Sequence, residues 1–267
     1  MKMEYTGERM VPEGADINTF WEHIYRYRFA LPYVQGKRVL DIACGEGYGS
    51  AALKQAGAAS LTGVDISQEA CEHASKRYGV TTKVGDAKKI PLPDKSVDAV
   101  VSFETIEHVS NPEKFLDECV RVLAPGGRLI ISTPNRKAYL KDASPNPYHL
   151  KELTEDEFIV LLAARFRDVQ IYTQRPTAAG WWSLRSLASE SALWRVRGFR
   201  RLRWLIQKKC CLETIDRSVL ERARENPVQT ILTRMEWLAN LANPFAIRSK
   251  SKLSGEIPIY IIAVATL

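Results

Sequence analysis

The chain has 267 residues, of which 45% are hydrophobic and 26% charged, and its formal net charge is +7. These proportions are typical of a folded protein and exclude a disordered, collagen-like or coiled-coil chain. No apolar run approaches the roughly 20 residues that a membrane-spanning helix needs. The first ten residues carry four charges without the apolar stretch of a signal peptide, and the five cysteines follow no regular spacing. We therefore expect a protein of the reducing cytoplasm.

The positive charge is concentrated in one part of the chain. Residues 176–254 hold 15 basic and 6 acidic residues together with five of the six tryptophans, whereas the remainder holds 23 basic and 25 acidic residues. The near-neutral remainder gives no support for nucleic-acid binding. The shift predicts a leader with lid helices (residues 1–34), a main domain (35–175 plus 255–267) and a basic, tryptophan-rich helical insertion (176–254).

The main domain alternates short apolar segments with amphipathic ones. The apolar segments predict strands at residues 37–44, 60–66, 81–84, 97–103, 128–132, 169–173 and 257–265. Amphipathic segments between them predict helices, one beginning at Pro112 and another at a Thr154–Glu157 pair typical of a capping box. This alternation predicts an α/β fold of the Rossmann-like class: a doubly wound, mostly parallel, seven-stranded sheet with a helical insertion before the last strand.

A glycine-rich loop follows the first predicted strand. Residues 41–49 read D-I-A-C-G-E-G-Y-G and lead into a helix, and Asp65 ends the second strand 20 residues after Gly45. Glycines let the backbone approach a ligand closely, and a carboxylate at the end of the second strand can accept hydrogen bonds from ribose hydroxyls. Loop, strand context and acid together predict a nucleoside-binding site.

The loop resembles motif I of the class I S-adenosylmethionine (SAM) dependent methyltransferases of the methyltransferase-11 type. A dinucleotide loop normally reads G-x-G-x-x-G directly after its strand, but here Asp41 ends the strand. Three later segments resemble other motifs of the methyltransferase family: Gly85-Asp86-Ala87, residues 91–103 and the R-V-L-A-P-G-G of residues 121–127. The resemblance covers about residues 35–174 and the final strand.

The resemblance implies that SAM is the cofactor. It implies Asp65 on the ribose, Gly45 and Gly47 beneath the methionine part, and Asp86 near the adenine amine. It also implies that the remaining cofactor-binding residues of the main domain are Asp41, Ala43, Ile66, Ala87 and Phe103.

The leader carries a second resemblance. Residues 6–12, T-G-E-R-M-V-P, and residues 23–27, H-I-Y-R-Y, resemble the leader of bacterial methyltransferases found among surface-polysaccharide enzymes. That leader usually folds over the cofactor, which makes Arg26 and Tyr27 candidates for contact with the cofactor carboxylate. A helix that only packs on the sheet edge is the alternative for each.

Ligand-type side chains follow the fourth strand in the sequence E-T-I-E-H. In a helical turn Glu104, Glu107 and His108 would share one face, and with His149 they could hold a divalent cation such as Mg, Mn, Fe or Zn. The pattern is similar to the metal site of the small-RNA 3′-terminal 2′-O-methyltransferases, and similar residues occur in ubiquinone-biosynthesis O-methyltransferases. Such a cation would lower the pKa of a chelated hydroxyl and orient its oxygen.

Two alternatives to a metal site stay open. Without a cation, His108 or His149 could act as the general base in catalysis. The same residues could also be polar groups that only surround the pocket.

Residues 181–209 of the insertion mix tryptophan and leucine with arginine and lysine. They could form the insertion's own core, contact an anionic membrane or a lipid-linked acceptor, or form a dimer contact, and nucleic acid is the least favoured partner. Membrane contact would make the protein peripheral to the inner face of the membrane.

The sequence therefore predicts a SAM-dependent methyltransferase that O-methylates a hydroxyl of a sugar, a glycan or another small molecule. A quinone precursor or natural product is an alternative acceptor. A non-catalytic SAM-binding partner protein is an alternative of another class. The oligomeric state is left open.

Overall fold

The computed structural model describes residues 9–137, 146–174, 217–233, 247–249 and 259–267. Eight strands form one sheet: β1 Arg38–Ile42, β2 Ser60–Asp65, β3 Thr82–Val84, β4 Val97–Phe103, β5 Leu123–Pro134, β6 Asp168–Gln174, β7 Ile247–Ser249 and β8 Tyr260–Thr266. Their order across the sheet is β3-β2-β1-β4-β5-β8-β6-β7. Strands β1 to β5 pair in parallel, whereas β8 runs antiparallel to β5 and β6, and β7 antiparallel to β6.

The helices lie on both faces of this sheet. They are α1 Ile17–Val34, α2 Tyr48–Gln55, α3 Gln68–Tyr78, α4 Pro112–Val122, α5 Glu155–Ala163, α6 Arg217–Glu225 and α7 Pro227–Leu232, with a short 3-10 helix at Ile106–His108. The Thr154–Glu157 capping box is confirmed, since each residue's side chain bonds the other's backbone N–H. Pro112 is confirmed in the first turn of α4.

The doubly wound α/β prediction is confirmed, and all seven predicted strands are present. The eighth, β7, lies inside residues 176–254, which the sequence predicted as mainly helical. Its three residues add to the free edge of β6, a pairing that such a short segment does not reveal by its own periodicity. The strand order reverses between β1 and β4, and in such sheets ligands bind outside the carboxyl ends of the strands at that reversal.

Two apolar layers pack against the central strands. Helices α1, α2 and α7 bury residues such as Trp21, Leu53 and Ile231 on one face, and α4 and α5 bury Phe115 and Phe158 on the other. The continuous apolar character of β4 follows from burial on both faces.

One part of the predicted insertion belongs to this packing. Helix α7 contacts α1 and α2, and its Val228 and Ile231 are buried in the same apolar layer as Trp21. Residues 181–209 lie outside the described residues, so the membrane, lipid-linked and dimer contacts predicted for them stay predictions. Among the residues that the structure describes, no helix is long and apolar enough to cross a membrane.

Candidate active site

A cavity of about 470 Å³ opens at the carboxyl edge of β1, β2 and β4. Its size is ordinary for a small-molecule site. Eight of the predicted cofactor residues lie on its wall: Tyr27, Ala43, Gly45, Asp65, Ile66, Asp86, Ala87 and Phe103. All four predicted catalytic or metal residues, Glu104, Glu107, His108 and His149, lie on the same wall. The cofactor and acceptor chemistry predicted separately thus meet in one cavity.

Asp65 has a fixed position at the end of β2. Its Oδ2 accepts a hydrogen bond of 2.8 Å from the backbone N–H of Gly45, and its Oδ1 accepts one of 2.9 Å from that of Ser67. The side chain is only 5% exposed. Because a carboxylate has about four lone-pair sites, two acceptor directions remain for other donors.

Gly47 lies behind the wall rather than on it. Its φ is +94°, and a Cβ there would approach the Cβ of Ala74 on α3 to 2.4 Å. The position of Gly47 beneath the methionine part, which the resemblance implied, stays a prediction, and its lack of a side chain lets the loop turn and pack on α3. Glu46 ties the same loop to α3 through a 2.7 Å ion pair with Arg77.

Asp41, near the end of β1, does not line the cavity. It is fully buried, and its Oδ2 accepts hydrogen bonds from the hydroxyls of Ser50 at 2.5 Å and Tyr27 at 3.3 Å. Burial raises the pKa of Asp41 to about 7, against these two hydrogen bonds, and the nearby Asp65 adds to the rise. Its hydrogen bonds tie the end of β1 to the first turn of α2 and to α1.

Arg26 does not reach the cavity. Its side chain is buried, its Nη1 donates a 3.0 Å hydrogen bond to Gln174, and its guanidinium carbon lies 4.4 Å from the centre of the Tyr260 ring. The same Nη1 is 4.0 Å from Oε1 of Glu104. Of the two leader residues predicted to meet the cofactor, Tyr27 lies on the wall, and Arg26 lies behind it as a partner of Glu104.

Helix α1 contributes a face of which the sequence analysis predicted only Tyr27. Thr19, His23 and Tyr27 all line the cavity, and their spacing of four residues puts them on one side of the helix. Burial, with a further contribution from Arg26, lowers the pKa of His23 well below its usual value, so this imidazole is neutral at pH 7. The spacing of these residues in the sequence was a signal that could have found them.

Tyr260 was also missed. It is the first residue of β8 and pairs with Pro134 at the end of β5. An antiparallel strand begins at the edge where parallel strands end, so its first residue joins the cavity wall. Recognising β8 as antiparallel would have predicted this position.

Glu107, His108 and His149 converge at the other end of the cavity. One ligand-type atom from each lies within 4.8 Å of the others. The His108 and His149 rings meet edge to face, with centroids 4.9 Å apart. Burial, with a further contribution from Glu104, raises the pKa of Glu107 well above its usual value. Its Oε1 has no hydrogen-bond partner among the described residues.

Glu104 does not join this cluster. Its φ is +52°, which is uncommon for a residue with a side chain. Its backbone N–H donates a 3.2 Å hydrogen bond to Oγ of Ser132, and the Ser132 hydroxyl donates one of 2.6 Å to its Oε1. The helical turn that would have placed Glu104 on one face with Glu107 and His108 is not present, since the 3-10 helix begins at Ile106.

The sheet order, the glycine loop and the acid after β2 define a nucleoside-binding, doubly wound α/β domain. Residues 40–131 match a family described as a methyltransferase domain. A "Probable S-adenosylmethionine-dependent methyltransferase" of Mycobacterium tuberculosis is 41% identical over 170 residues, which are 61% of each chain. The chain thus spans about three fifths of the length of this relative.

A demethylmenaquinone methyltransferase of Clavibacter sepedonicus is 32% identical over 60% of this chain and 69% of its own length. The fold is similar to the crystal structure of a SAM-dependent methyltransferase of Thermotoga maritima, with a TM-score of 0.56, 19% identity and 93% of each chain covered. The chain belongs to the class I SAM-dependent methyltransferases.

Proposed function

We propose that the protein transfers the methyl group of SAM to a hydroxyl of a sugar, a glycan or another small molecule. The observation that carries this proposal is that the cofactor residues and the Glu107–His108–His149 cluster line one cavity. In the transfer, the bond between sulfur and methyl breaks as the bond between the acceptor oxygen and methyl forms. The hydroxyl proton leaves to a base, and S-adenosylhomocysteine is the second product.

The cofactor end of the cavity fits an adenosyl sulfonium. Asp65 offers two acceptor directions to the ribose hydroxyls, and the exposed side chain of Ile66 offers an apolar surface beside it. Glu104 adds a carboxylate to the wall, which suits the positive charge of the sulfonium. Excluding water around that charge would contribute to the rate, together with in-line positioning of the acceptor.

The donor atoms at the acceptor end suit a divalent cation. Glu107 supplies a buried carboxylate oxygen without a hydrogen-bond partner among the described residues. Nε2 of His149 is 3.1 Å from Nδ2 of Asn146, a contact that a bound cation would replace. Nδ1 of His108 is 2.8 Å from the carbonyl oxygen of Tyr148, and Nδ1 of His149 is 2.8 Å from Oε1 of Glu152. Metal-binding histidines usually donate their second nitrogen in this way. One carboxylate and two imidazoles favour Mn, Fe or Zn over Mg.

We propose that these three residues hold a cation, which would lower the pKa of a bound hydroxyl. Glu104 is not part of this set, because Ser132 and Arg26 hold its Oε1 elsewhere. In the absence of a cation, His108 or His149 is the group that accepts the hydroxyl proton.

The acceptor is proposed from two different similarities. The leader resembles those of surface-polysaccharide methyltransferases, which favours a sugar or glycan hydroxyl. A ubiquinone biosynthesis O-methyltransferase of Dechloromonas aromatica, 29% identical over 58% of this chain and 66% of its own length, favours a quinone precursor as the second candidate. A vicinal diol or a catechol presents two adjacent oxygens, which is the arrangement that a cation would chelate.

The test is a transfer assay with methyl-labelled SAM and two acceptor sets, sugars with vicinal diols and catechol-type quinone precursors. The proposal expects labelled methyl ether from one set. Metal analysis of the purified protein, and activity after EDTA with and without added Mn²⁺ or Zn²⁺, tests the cation separately. Activity that EDTA does not change, in a protein without bound metal, would exclude the cation and leave His108 or His149 as the group that accepts the proton. Failure of every hydroxylated acceptor despite SAM binding would contradict O-methylation.

A further inference from the structure

Arg9 lies across the ribose end of the cavity. Its Nη2 is 3.5 Å from Oδ1 of Asp65, and its side chain is 27% exposed. The aliphatic part covers Gly45, since a Cβ added to Gly45 would lie 3.5 Å from both Cγ and Cδ of Arg9. Arg9 also lines the cavity. Arg9 was not among the cofactor residues predicted from the sequence, although it contacts two of them, Asp65 and Gly45.

A ribose that binds Asp65 requires Arg9 to shift, but not to leave the site. The backbone N–H groups of Gly45 and Ser67 use one lone pair on each carboxylate oxygen. Two ribose hydroxyls that donate to the other two lone pairs would take the direction that Arg9 now uses. A hydroxyl can donate to Asp65 and at the same time accept from a guanidinium. If the long Arg9 side chain shifts onto a ribose oxygen, the hydroxyl can donate to Asp65 while it accepts a hydrogen bond from Arg9.

The charge of Asp65 determines whether Arg9 helps or hinders the cofactor. Asp65 is 5% exposed already, and a bound adenosyl group would remove the rest of its water. A buried carboxylate without a cationic partner is costly, so the need for Arg9 increases when the cofactor covers the site. Competition between Arg9 and the ribose would require the cofactor to leave this carboxylate without its counter-ion.

We propose that Arg9 is a cofactor-binding residue that donates to a ribose hydroxyl and serves as the counter-ion of Asp65 in the bound state. The inference rests on the proposed function, because it takes the adenosyl group as the ligand. Helix α1 supplies Tyr27 to one wall of the cavity, and Arg9 closes the ribose end from the segment that precedes this helix.

The leader has a second attachment that makes Arg9 separable in experiment. Oε1 of Glu13 forms a 2.9 Å ion pair with Nη2 of Arg77 on α3. Loss of this pair would loosen the same segment without touching Asp65. Glu13→Gln is therefore the matched control for Arg9→Gln, and Arg9→Lys tests whether a charge alone suffices.

The experiment is isothermal titration of S-adenosylhomocysteine and of its 2′-deoxy and 3′-deoxy analogues into the full chain and its variants. Arg9→Gln is expected to weaken binding of S-adenosylhomocysteine by about tenfold, Arg9→Lys by less, and Glu13→Gln by less than about twofold. For the analogue that lacks the contacted hydroxyl, Arg9→Gln should weaken binding by only about twofold. Thermal unfolding of the ligand-free variants checks that each one is folded.

Three results would overturn the proposal. Unchanged or tighter binding by Arg9→Gln would make Arg9 irrelevant to the ribose or a competitor for Asp65. An equal loss for the parent ligand and both deoxy analogues would mean that Arg9 acts only by docking the leader. An equal loss in Glu13→Gln would mean the same. The proposed function fails differently: neither the unmodified chain nor Glu13→Gln would then bind S-adenosylhomocysteine.

Discussion

The two ends of the cavity are built in different ways. The proposed cofactor end comes from residues 41–87, where three strands and their following loops supply backbone N–H groups, tight turns and one fixed carboxylate. The proposed acceptor end needs His149, which follows His108 by about forty positions and meets it because Leu150 and Lys151 donate backbone hydrogen bonds to the carbonyl of Glu107. A site built from local backbone tolerates changes elsewhere in the chain. A site built from distant side chains depends on the backbone hydrogen bonds that hold them together, here those between Leu150, Lys151 and Glu107.

The strongest test of this difference is Glu107→Gln. Losing the carboxylate should lower methyl transfer by about a hundredfold or more, because the proton-accepting or cation-holding cluster loses its buried acid. The affinity for S-adenosylhomocysteine, measured by titration calorimetry, should change by less than about twofold. Glu118→Gln is the control, since Glu118 is bonded to Arg121 on α4, away from the cavity. An equal loss of cofactor affinity in Glu107→Gln would show that the two ends are not separable.

Gly47→Ala tests the backbone construction of the cofactor end. The added Cβ would lie 2.4 Å from Cβ and 2.9 Å from Cα of Ala74, at a φ of +94°. We expect the free energy of unfolding in urea to fall by about 3 kcal/mol. Gly79→Ala is the control, because its φ is +64° with no atom within 4 Å of the added Cβ, so only about 1 kcal/mol should be lost. Equal losses would contradict a packing role for Gly47.

Asp65→Asn tests the side-chain component of the cofactor end. The amide keeps the shape but loses the charge and one acceptor, so SAM and S-adenosylhomocysteine should each bind about ten- to thirtyfold more weakly. Asp86→Asn should have a smaller effect, since Asp86 is 43% exposed. Calorimetric titration measures the affinity of both variants. A larger loss of affinity in Asp86→Asn than in Asp65→Asn would show that Asp65 is not the main carboxylate contact of the cofactor.

The smallest expected effect concerns Asp41 and pH. Burial raises the pKa of Asp41 from 3.8 to about 7, so the folded protein binds this proton more tightly than the unfolded chain does. Its contribution to stability is complete below about pH 4 and is lost as the pH rises to about 7. Asp41→Asn removes the titration. Between pH 4 and pH 7 the free energy of unfolding of the variant, relative to that of the unmodified chain, should rise by more than about 1 kcal/mol. If the two proteins show the same dependence of unfolding free energy on pH, Asp41 does not carry this titration.

The sequence by itself determined seven of the eight strands and predicted the glycine turn and the acid of the proposed cofactor end. Buried strands such as β4 and the capping box at Thr154 depend on residues within a few positions of each other, as does the turn after Asp41. Local patterns of this kind reflect local physics: apolar burial on a strand, free N–H groups at a helix start and glycine where a side chain would clash. Asp65 could be predicted beside Gly45 for another reason: β1 and β2 pair in parallel, so the loop after β1 and the last residue of β2 lie at the same edge of the sheet.

Tertiary structure alone decided how the polar side chains around the cavity are oriented. Glu104 and Glu107 are three positions apart, yet contacts with Ser132 and Arg26 direct Glu104 away from the two histidines. Arg26 and Tyr27 are neighbours, but only Tyr27 lies on the cavity wall. The orientation of a polar side chain depends on partners from distant strands and helices, because a buried charge must find its counter-charge wherever the fold supplies one.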